Sequence, residues 1–487
     1  MKVSIIGSGI AGLASAVRMA ARGYDVNVYE SADGPGGKLR EYRSNGYRFD
    51  AGPSLFTMPQ YIDDLFKLAG ENPRDHFNYS ALEVICNYFW EDGTRLEASA
   101  DWEVFKEEAE KKIGVDRSEL ERYYKRNKLK YELTGKIFLE KSLHKWSTWW
   151  DKDVAKALMN LHKLDIFKSM HQTNASMVRS PKMVQFFNRF ATYNGSNPYQ
   201  ASGMLTIIPY LEQGFGAFIP EKGMYHITEE VYNLGKRLGV KYHFNKKVDK
   251  ILVHNKKATA IEVGGQTVPS DIVICNMDVF FAYQHLLADQ KKPKRILSQE
   301  KSSSALIFYW GINRKFPELD VHNIFFTEDY EKEFAHIQSG KVYNDPTVYI
   351  NITSKVVEQD APQDGENWFT MINVPFNSGQ DWDAIIEKSR QNIKEKLSRI
   401  LGTDIAQHIE TELILEPRTI ESKTQSHLGA LYGTASNDRM AAFFRHPNFS
   451  SDIKDLYFCG GSAHPGGGIP LCLLSAKIVD DIIHTKA

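Results

Sequence analysis

The stretch that decides the fold is residues 2–30, KVSIIGSGIAGLASAVRMAARGYDVNVYE. Residues 2–6 are mostly apolar and lead into a turn rich in glycine. Apolar residues then recur at spacings of three and four as far as Gly23, which predicts an amphipathic helix. A second apolar run, residues 24–29, ends in Glu30. A strand, a glycine-rich turn, a helix and a strand that ends in an acid together form the dinucleotide-binding fingerprint.

Each glycine of the turn has a separate task in this fingerprint. Gly7 allows the tight turn, Gly9 lets the backbone approach a pyrophosphate, and Gly12 lets the helix pack closely on the strand. The cofactor contacts predicted in this part are Gly7, Gly9, Ile10, Ala11 and Gly12. The helix opens with Ile10 and Ala11, so we expect its free N–H groups and positive dipole end to face the phosphates. An ordinary glycine-rich turn is the alternative, and the flanking strands and the acid favour the nucleotide site.

The acid at the end of the second strand predicts the type of nucleotide. The Glu30 carboxylate can accept hydrogen bonds from two ribose hydroxyls, and its charge would repel a 2′-phosphate. We therefore expect Glu30, with Ser31 beside it, to contact the ribose of the adenosine.

A second glycine-rich stretch distinguishes a flavin from a nicotinamide cofactor. Residues 34–40, GPGGKLR, follow Glu30 closely, and a hairpin signal then leads to residues 50–54, DAGPS. These glycines and the neighbouring cation offer more N–H groups and positive charge, which FAD can use because its diphosphate and ribityl chain continue towards the isoalloxazine ring. The contacts predicted in this part are Gly36, Gly37, Lys38, Leu39, Gly52, Pro53 and Ser54.

Length and composition restrict the class of protein. A chain of 487 residues is expected to form two or three packed domains. The net charge of −1 excludes the basic excess that nucleic-acid binding requires. Four scattered cysteines predict a reducing, cytoplasmic setting and no metal site. We also expect no cleavable signal, because a strand starts at residue 2, and no membrane-spanning helix, because no apolar run is long enough.

Residues 142–193 differ from the rest in being rich in aromatic and cationic side chains. Trp146, Trp149 and Trp150 come first, and phenylalanines 186, 187 and 190 come last. One interpretation is a helical subdomain with the aromatics in its own core. The other is a helical lid that dips an apolar edge into one membrane leaflet, with tryptophan at the headgroup level and lysine on the polar side.

The chain then returns to the nucleotide sheet and afterwards forms a second domain. Residues 215–275 read as short strands around one helix, with Val248 placed to meet the adenine through its backbone. Residues 276–455 change to strands at 303–312, 347–353 and 368–374 and a helix at 382–400, which predicts a domain built on a mixed sheet. Its apolar strands 305–310 and 368–372 either line a greasy tunnel or are simply buried.

The end of the chain carries the second strong signal. Residues 456–470, LYFCGGSAHPGGGIP, predict a strand, a glycine-dense loop and a helix that offers its N-terminus to an electron-rich group. Two glycine-rich helix openings more than 400 residues apart suit one elongated cofactor, with the flavin's pyrimidine edge at this end. The contacts predicted here are Gly461, Ser462, Gly468, Ile469 and Pro470.

These motifs carry a resemblance to a known family. Residues 2–54 resemble the start of the flavin amine oxidase and carotenoid desaturase superfamily, although many members have arginine where this chain has Lys38. The terminal string and residues 191–198, ATYNGSNP, resemble bacterial phytoene-desaturase-type carotenoid desaturases. Overall similarity leans towards the hydroxycarotenoid 3,4-desaturase group. The resemblance implies FAD, attachment to the inner face of the cell membrane, and removal of hydrogen from a long polyene, with oxygen or a quinone as the electron acceptor.

The expected fold is therefore α/β, with a Rossmann-like FAD-binding domain of the glutathione-reductase type, a mixed-sheet substrate domain and a helical membrane or lid subdomain. We assign 1–80, 215–275 and 456–487 to the first, 81–141 and 276–455 to the second, and 142–214 to the third.

Removing hydrogen from an allylic C–C bond needs hydride loss to flavin N5 and proton loss from the neighbouring carbon. The carbocation that hydride loss leaves on the substrate is delocalised along the polyene, so the reaction demands few acidic or basic side chains. Candidates for a base or an electrostatic stabiliser are Asp165, His171, Arg189 and Glu212. For each of them alone, an ordinary surface or core polar residue is the more common explanation.

Two other functions stay open on the sequence. An amine oxidase of the same fold would need an aromatic cage beside the flavin and would oxidise polyamines. A prenyl-binding GDP-dissociation inhibitor shares the architecture without a flavin, and the intact glycines, Glu30 and residues 466–470 argue against it.

Overall fold

The computed structural model describes residues 1–438 and 444–484, and its organising element is a five-stranded parallel sheet. The four neighbouring pairs of this sheet are all parallel. From one edge to the other, the strands are Leu456–Phe458, Ile272–Cys275, Lys2–Ile6, Asp25–Tyr29 and Lys241–His243. Strands from the start, the middle and the end of the chain thus lie side by side, with the predicted first strand at the centre.

The helix of the fingerprint is buried between other elements. Ile10–Ala21 follows the central strand and packs against the carboxyl-terminal helix Ile469–His484 and against Tyr225–Arg237. Most of its residues are buried, because alanine and glycine let neighbouring backbones approach closely. The two glycine-rich openings predicted from the sequence therefore belong to helices in direct contact.

A second, seven-stranded sheet forms the other large layer. Its pairs are antiparallel except that between His322–Phe325 and Val84–Phe89. In spatial order, the strands are Ile409–Leu415, Ser304–Ile312, Glu366–Val374, Val348–Ile352, His322–Phe325, Val84–Phe89 and Arg95–Ser99. Sequence patterning predicted a mixed sheet here, and the predicted strands at 303–312, 347–353 and 368–374 and helix at 382–400 are confirmed within two residues.

Three small sheets and the remaining helices connect the two layers. The small sheets are formed by Val248–His254, Lys257–Val263 and Gln266–Pro269, by Glu41–Ser44 and Tyr47–Asp50, and by Tyr79–Ala81 and Phe218–Pro220. The other α-helices are Gln60–Leu68, Trp102–Ile113, Arg117–Glu140, Trp146–Trp149, Lys152–Met159, Met170–Ala175, Pro181–Asn188, Ile207–Phe215, Val279–Phe281, Lys294–Leu297, Tyr330–Gln338, Trp382–Leu401 and Pro417–Thr424.

The aromatic residues of segment 142–193 divide into two environments. Phe186, Phe187 and Phe190 are fully buried in a core that they share with the start of the seven-stranded sheet. Trp146 and Trp150 are instead 84% and 85% exposed. The end of the segment is thus buried, but in a core that it shares with the sheet and not in one of its own, and the beginning of the segment is exposed. None of the described helices is long and apolar enough to cross a membrane.

The strand pairing supports the domain division, which we propose unchanged. Segments 1–80, 215–275 and 456–487 contribute the parallel sheet, and 81–141 and 276–455 contribute the seven-stranded sheet. Residues 439–443 of the fifth segment and 485–487 of the last lie outside the described residues.

Candidate active site

A cavity of about 920 Å³ runs from the parallel sheet to the seven-stranded sheet. On one side it is lined by residues that follow the carboxyl ends of parallel strands, which are Gly7, Glu30, Asn276 and Gly460. Ligands of open α/β sheets bind at this edge, because the loops after parallel strands meet there. We call the loops at this end, residues 7–11, 36–39, 52–54 and 460–470, the glycine wall.

The first glycine turn is shaped by contacts that leave no space for a side chain. Gly7 has a φ of +93°, which glycine adopts without strain. A Cβ at Gly9 would lie 2.8 Å from Asn276 Nδ2, and a Cβ at Gly12 would lie 2.1 Å from Gly7 O. Gly12 is not among the cavity-lining residues. Gly12 thus lies behind the turn and supports it by close packing, so we leave it out of the contacts proposed below.

The start of the helix after this turn is open to a ligand. Gly9 is the N-cap residue of this helix, and no side chain of the described residues caps the helix by a hydrogen bond. Ile10 and Ala11 line the cavity. The first N–H groups of a helix need partners, and the helix dipole favours negative charge there. This end of the cavity is suited to phosphate.

The Glu30 carboxylate lies in the cavity wall beside the turn. Its Oε2 accepts hydrogen bonds from the Ser8 backbone N at 2.7 Å and Ser8 Oγ at 2.9 Å, and its Oε1 accepts from Ala32 N at 2.8 Å and Ser31 Oγ at 3.1 Å. These bonds hold the carboxylate at the end of its strand. The two hydroxyls that contact it are free to rotate, so ribose hydroxyls could replace them.

The second glycine loop packs directly on the first. Gly36 N donates to Ser8 O at 2.9 Å, and a Cβ at Gly37 would lie 3.4 Å from the Gly9 Cα. A Cβ at Gly52 would lie only 1.9 Å from Lys38 O. The predicted contacts of this loop therefore form one surface with the first turn, and all of them line the cavity: Gly36, Gly37, Lys38, Leu39, Gly52, Pro53 and Ser54.

The Lys38 ammonium group has a different position from the one expected. It donates to Leu431 O at 2.7 Å and to Ala430 O at 3.3 Å, and desolvation lowers its pKa. Its charge is thus used to bind the loop before the carboxyl-terminal segment. Arg40 also lines the cavity, where its guanidinium donates to Gly34 O at 2.8 Å. The sequence analysis quoted Arg40 in the motif but did not select it.

The carboxyl-terminal loop is held by Arg445. This buried guanidinium donates to Thr434 O at 3.1 Å and to Tyr432 O at 3.4 Å, and its burial lowers its pKa to about 10. A Cβ at Gly466 would lie 3.1 Å from the Arg445 Cζ. The predicted contacts that line the cavity here are Gly461, Ser462, Gly468, Ile469 and Pro470, and Val248 lines it at the opposite end of the glycine wall.

His464 stabilises the same loop as a neutral ring. Its Nε2 donates to Lys141 O at 2.9 Å, and its backbone O accepts from Asn448 Nδ2 at 2.7 Å. Burial lowers the pKa of His464 to about 4. The loop is therefore tied to the helix Arg117–Glu140 and to residue 448 without using a charge.

The other side of the cavity is formed by one face of the seven-stranded sheet, which we call the sheet wall. Residues along each strand alternate between the cavity and a core on the far face. Ile307, Phe369 and Met371 line the cavity, whereas Trp310 and Trp368 are buried in the far core. Alternate residues of these strands thus line the cavity, and the residues between them are buried in the core on the far face. The wall is completed by apolar residues of other segments, including Phe138, Leu139, Ile166, Leu205, Ile208 and Leu211.

A buried ion pair lies in this apolar part of the cavity. Arg189 Nη2 donates to Glu212 Oε1 at 3.0 Å, and both side chains are almost fully buried. Tyr193 donates to Glu212 Oε2 at 2.5 Å and accepts from Arg189 Nη1 at 2.7 Å. All three residues line the cavity. The sequence analysis had selected Arg189 and Glu212 separately, and the structure brings them together.

The other two catalytic candidates are not among the residues that line the cavity. Asp165 forms ion pairs with Arg126 at 2.6 Å and Lys130 at 2.8 Å. The His171 ring lies 4.7 Å from that of Tyr199 and hydrogen-bonds Asn188. Both side chains thus have structural partners away from the cavity wall, and we leave them out of the function proposed below.

A second polar group in the sheet wall was missed by the sequence analysis. His322 and Tyr349 line the cavity on neighbouring strands, and the His322 Nδ1 is 2.7 Å from the Tyr349 hydroxyl. That hydroxyl is 2.8 Å from Ser54 Oγ. Asn276 was also missed, although its position directly after a buried strand was a usable signal.

The cavity wall fits an elongated dinucleotide with an apolar substrate beside it. It offers an uncapped helix start for phosphate, an acid for a ribose and a second glycine-rich helix start. No group of three or more possible metal-ligating side chains was found in residues 1–438 and 444–484.

A family model for flavin-containing amine oxidoreductases matches residues 10–479. The chain is 50% identical to the 1-hydroxycarotenoid 3,4-desaturase of Flavobacterium sp., over 99% of both chains. It is 31% identical to the 4,4′-diapolycopene oxygenase of Methylomonas sp., over 99% of this chain and 98% of that one. It is 29% identical to the 4,4′-diapophytoene desaturase of Staphylococcus haemolyticus, over the whole of both chains.

Solved structures show the same fold at low identity. An oxidoreductase of Methanosarcina mazei has a TM-score of 0.65 at 15% identity, covering 99% of this chain and 100% of that one. Cyclohexylamine oxidase of Brevibacterium oxydans has a TM-score of 0.65 at 14% identity, covering 100% and 99%. At this identity the similarity concerns the fold alone.

Proposed function

The chain belongs to the family of flavin-containing amine oxidoreductases as an FAD-dependent carotenoid desaturase, and we propose that it introduces the 3,4 double bond of a 1-hydroxycarotenoid. The observation that carries the proposal is one cavity that joins a nucleotide-binding edge to a long apolar wall. Half of all residues, over nearly the entire chain, are identical in a relative named for that reaction.

We propose that the glycine wall and its neighbours hold FAD. The diphosphate would lie at the uncapped start of Ile10–Ala21, with the adenosine ribose at Glu30 and Ser31 and the adenine at Val248. The flavin ring would lie towards Ile469–His484 and the sheet wall. The residues proposed as contacts are Gly7, Gly9, Ile10, Ala11, Glu30, Ser31, Gly36, Gly37, Leu39, Arg40, Gly52, Pro53, Ser54, Val248, Asn276, Gly461, Ser462, Gly468, Ile469 and Pro470.

When bound, FAD supplies the two-electron acceptor for the hydride that leaves the allylic carbon. The apolar wall holds the polyene and excludes water from the cation that forms. The Glu212 carboxyl group is buried in the cavity wall and can stabilise that cation, and hydrogen bonds from Arg189 and Tyr193 hold it in place. We propose Glu212 as the electrostatic stabiliser, with Arg189 as its positioning residue. We propose oxygen or a quinone as the final electron acceptor.

The substrate would enter from one leaflet of the cell membrane, on its inner face. Segment 142–168 exposes several large apolar side chains, which we call the apolar patch: Trp146, Trp150, Leu158, Met159, Leu161 and Phe167. Lys152, Lys156 and Lys168 of the same segment are also exposed. Tryptophan, apolar residues and lysine together favour a membrane interface. Ile166 lines the cavity while its neighbour Phe167 is 73% exposed, so the patch and the cavity wall adjoin.

The membrane proposal is tested by removing the most exposed rings. The variant Trp146→Ser with Trp150→Ser is expected to lose sedimentation with anionic liposomes while it retains FAD. Val104→Ser with Val356→Ser removes exposed apolar residues elsewhere and serves as the matched control. Unchanged sedimentation of the tryptophan variant would rule out this patch as the attachment site.

The function is tested with purified protein and two substrates, a 1-hydroxycarotenoid and putrescine. We expect flavin absorbance in the protein as isolated, and a red shift of the carotenoid spectrum when a 1-hydroxycarotenoid gains a conjugated double bond. Putrescine should give no hydrogen peroxide. Peroxide from putrescine without carotenoid turnover would instead favour the amine oxidase. Turnover under nitrogen with and without added quinone identifies the electron acceptor.

A further inference from the structure

One histidine in the sheet wall is held in a single tautomer by its neighbours. His322 is 2% exposed and lines the cavity. Asn351 Nδ2 donates to Val321 O at 2.9 Å and also lies 3.2 Å from His322 Nδ1. An amide nitrogen can only donate, so His322 Nδ1 must accept and the ring proton must reside on Nε2.

The same bond pattern orients the neighbouring hydroxyls. The Tyr349 hydroxyl at 2.7 Å is then the main donor to the single lone pair of His322 Nδ1, and the Asn351 amide at 3.2 Å shares it as the weaker donor. The Tyr349 oxygen then accepts from Ser54 Oγ at 2.8 Å. A chain of donors thus runs from the Gly52–Ser54 segment of the glycine wall to the sheet wall.

The far side of the imidazole is left with a free donor. His322 Nε2 is buried and has no hydrogen-bond partner among residues 1–438 and 444–484. Burial and the charge of Arg189 lower the pKa of His322 to about 3, so the ring is neutral. A buried N–H group without a partner is costly, and a fold retains one where a ligand completes it.

We propose that His322 Nε2–H donates a hydrogen bond to the hydroxyl oxygen of the carotenoid end group and so selects hydroxylated polyenes. This rests on the proposed function. In a 1-hydroxycarotenoid the hydroxyl carbon is two bonds from C3, so the hydroxyl must be bound close to the reacting bond. His322 meets this condition, because Tyr349 and Ser54 link it to the segment assigned to the cofactor.

The surroundings make His322 the effective donor for that hydroxyl. Ile324 follows on the same face of the strand, and Met371 lines the wall nearby. Arg189 Nε is also without a partner in the described chain, but its guanidinium carbon lies 4.0 Å from the centre of the Phe190 ring. Its charged N–H groups are bound by Glu212 and Tyr193. A polyene without a hydroxyl would leave the His322 donor unpaired.

The test compares a 1-hydroxycarotenoid with the same polyene lacking the hydroxyl. For His322→Phe we expect kcat/KM on the hydroxylated substrate to fall about 10- to 100-fold, with no loss on the plain polyene. The dissociation constant, measured from the carotenoid absorbance, should rise by a similar factor for the hydroxylated compound alone. Ile324→Val changes the shape of the wall without changing its polarity, so it should alter both substrates by the same factor.

The outcomes separate the two proposals. Wild type that turns over neither substrate, or only the plain polyene, contradicts the proposed function. Wild type that prefers the hydroxylated substrate, with a His322→Phe variant that keeps this preference, contradicts the role of His322 alone. If His322→Phe fails to fold, His322→Gln and His322→Leu are compared instead, because only the glutamine amide can still donate a hydrogen bond. A smaller loss of preference for the hydroxylated substrate in His322→Gln than in His322→Leu supports the role of His322. An equal loss in the two variants overturns it.

Discussion

The glycine wall and the sheet wall bound one cavity with different parts of the polypeptide. In the glycine wall, glycines bring backbone N–H groups to the surface, and a Cβ at Gly52 or Gly9 would overlap a neighbouring atom. In the sheet wall, side chains such as Met371 and Phe369 form the surface, and the backbone lies behind them in a regular sheet.

The difference predicts two kinds of response to substitution. A site made of backbone is sensitive to any added atom, because backbone atoms cannot be displaced without moving the loop. A site made of side chains responds in proportion to the group that is changed, because neighbouring side chains can adjust. Changes in the glycine wall should abolish cofactor binding, whereas changes in the sheet wall should leave the cofactor and alter stability or selectivity.

The largest effect is expected from Gly52→Ala. The new Cβ would lie 1.9 Å from Lys38 O, so the segments around Gly52 and Lys38 must move apart. We therefore expect the protein to be isolated without FAD. The matched control is Gly34→Ala, where a Cβ would meet no heavy atom of the described chain within 4 Å. The flavin-to-protein absorbance ratio measures both. A normal ratio in Gly52→Ala would contradict the idea that the backbone defines this wall.

The next effect concerns the ion pair beside the sheet wall. Glu212→Gln leaves the buried Arg189 charge without its partner, and the free energy of unfolding should fall by about 3–5 kcal/mol. The double variant Arg189→Met with Glu212→Leu removes both charges and should recover most of this loss. Urea unfolding measures stability, and flavin absorbance should show FAD still bound in each. Loss of FAD in the single variant would mean that the two walls are not independent.

A smaller effect is expected at the acid of the glycine wall. Glu30→Gln removes a charged acceptor of the ribose hydroxyls, worth about 1.5–3 kcal/mol, so the dissociation constant of FAD should rise about 10- to 100-fold. Asp64→Asn removes an exposed carboxylate that is not in the cavity wall and serves as the control. Titration of the apoprotein with FAD measures both constants. Equal constants in Glu30→Gln and wild type would place the ribose elsewhere.

The smallest effect is a pH dependence shared by the two walls. The pKa is lowered to about 4 for His464 and to about 3 for His322, both through burial. As the pH falls below about 6.5, these histidines take up protons in the unfolded chain but not yet in the folded one. Each of them therefore lowers the free energy of unfolding by about 1.4 kcal/mol per pH unit until the pH reaches its pKa in the folded protein. Unfolding midpoints at pH 7 and 5.5 should differ less in His464→Gln than in wild type. An identical difference would mean that His464 is not buried as a neutral ring.

Much of the glycine wall was predicted from the sequence, because its signal is contiguous. Gly7, Gly9 and Glu30 lie within one strand–turn–helix–strand unit, and local geometry alone requires glycine at the turn. The terminal string around Gly468 was legible for the same reason. The mixed sheet was also predicted, because long, continuously apolar runs such as Ser304–Ile312 indicate buried strands without reference to their partners.

The sheet wall was decided by tertiary structure. The strand His322–Phe325 was missed, since four residues with a polar start carry too little pattern. Ile307 and Phe308 are both apolar, so the sequence does not distinguish which of them faces the cavity. That depends on which side of the sheet the other layer covers. Lys38 was assigned to phosphate, and its actual partners are nearly 400 residues further along the chain.

The sequence by itself thus determined where the backbone must turn tightly and offer free N–H groups, because those demands act between residues that are neighbours in the chain. The tertiary structure alone decided which side chains share the cavity, as with Ser54, His322 and Tyr349. Such contacts arise when distant strands come into register, and the register depends on packing over the complete sheet.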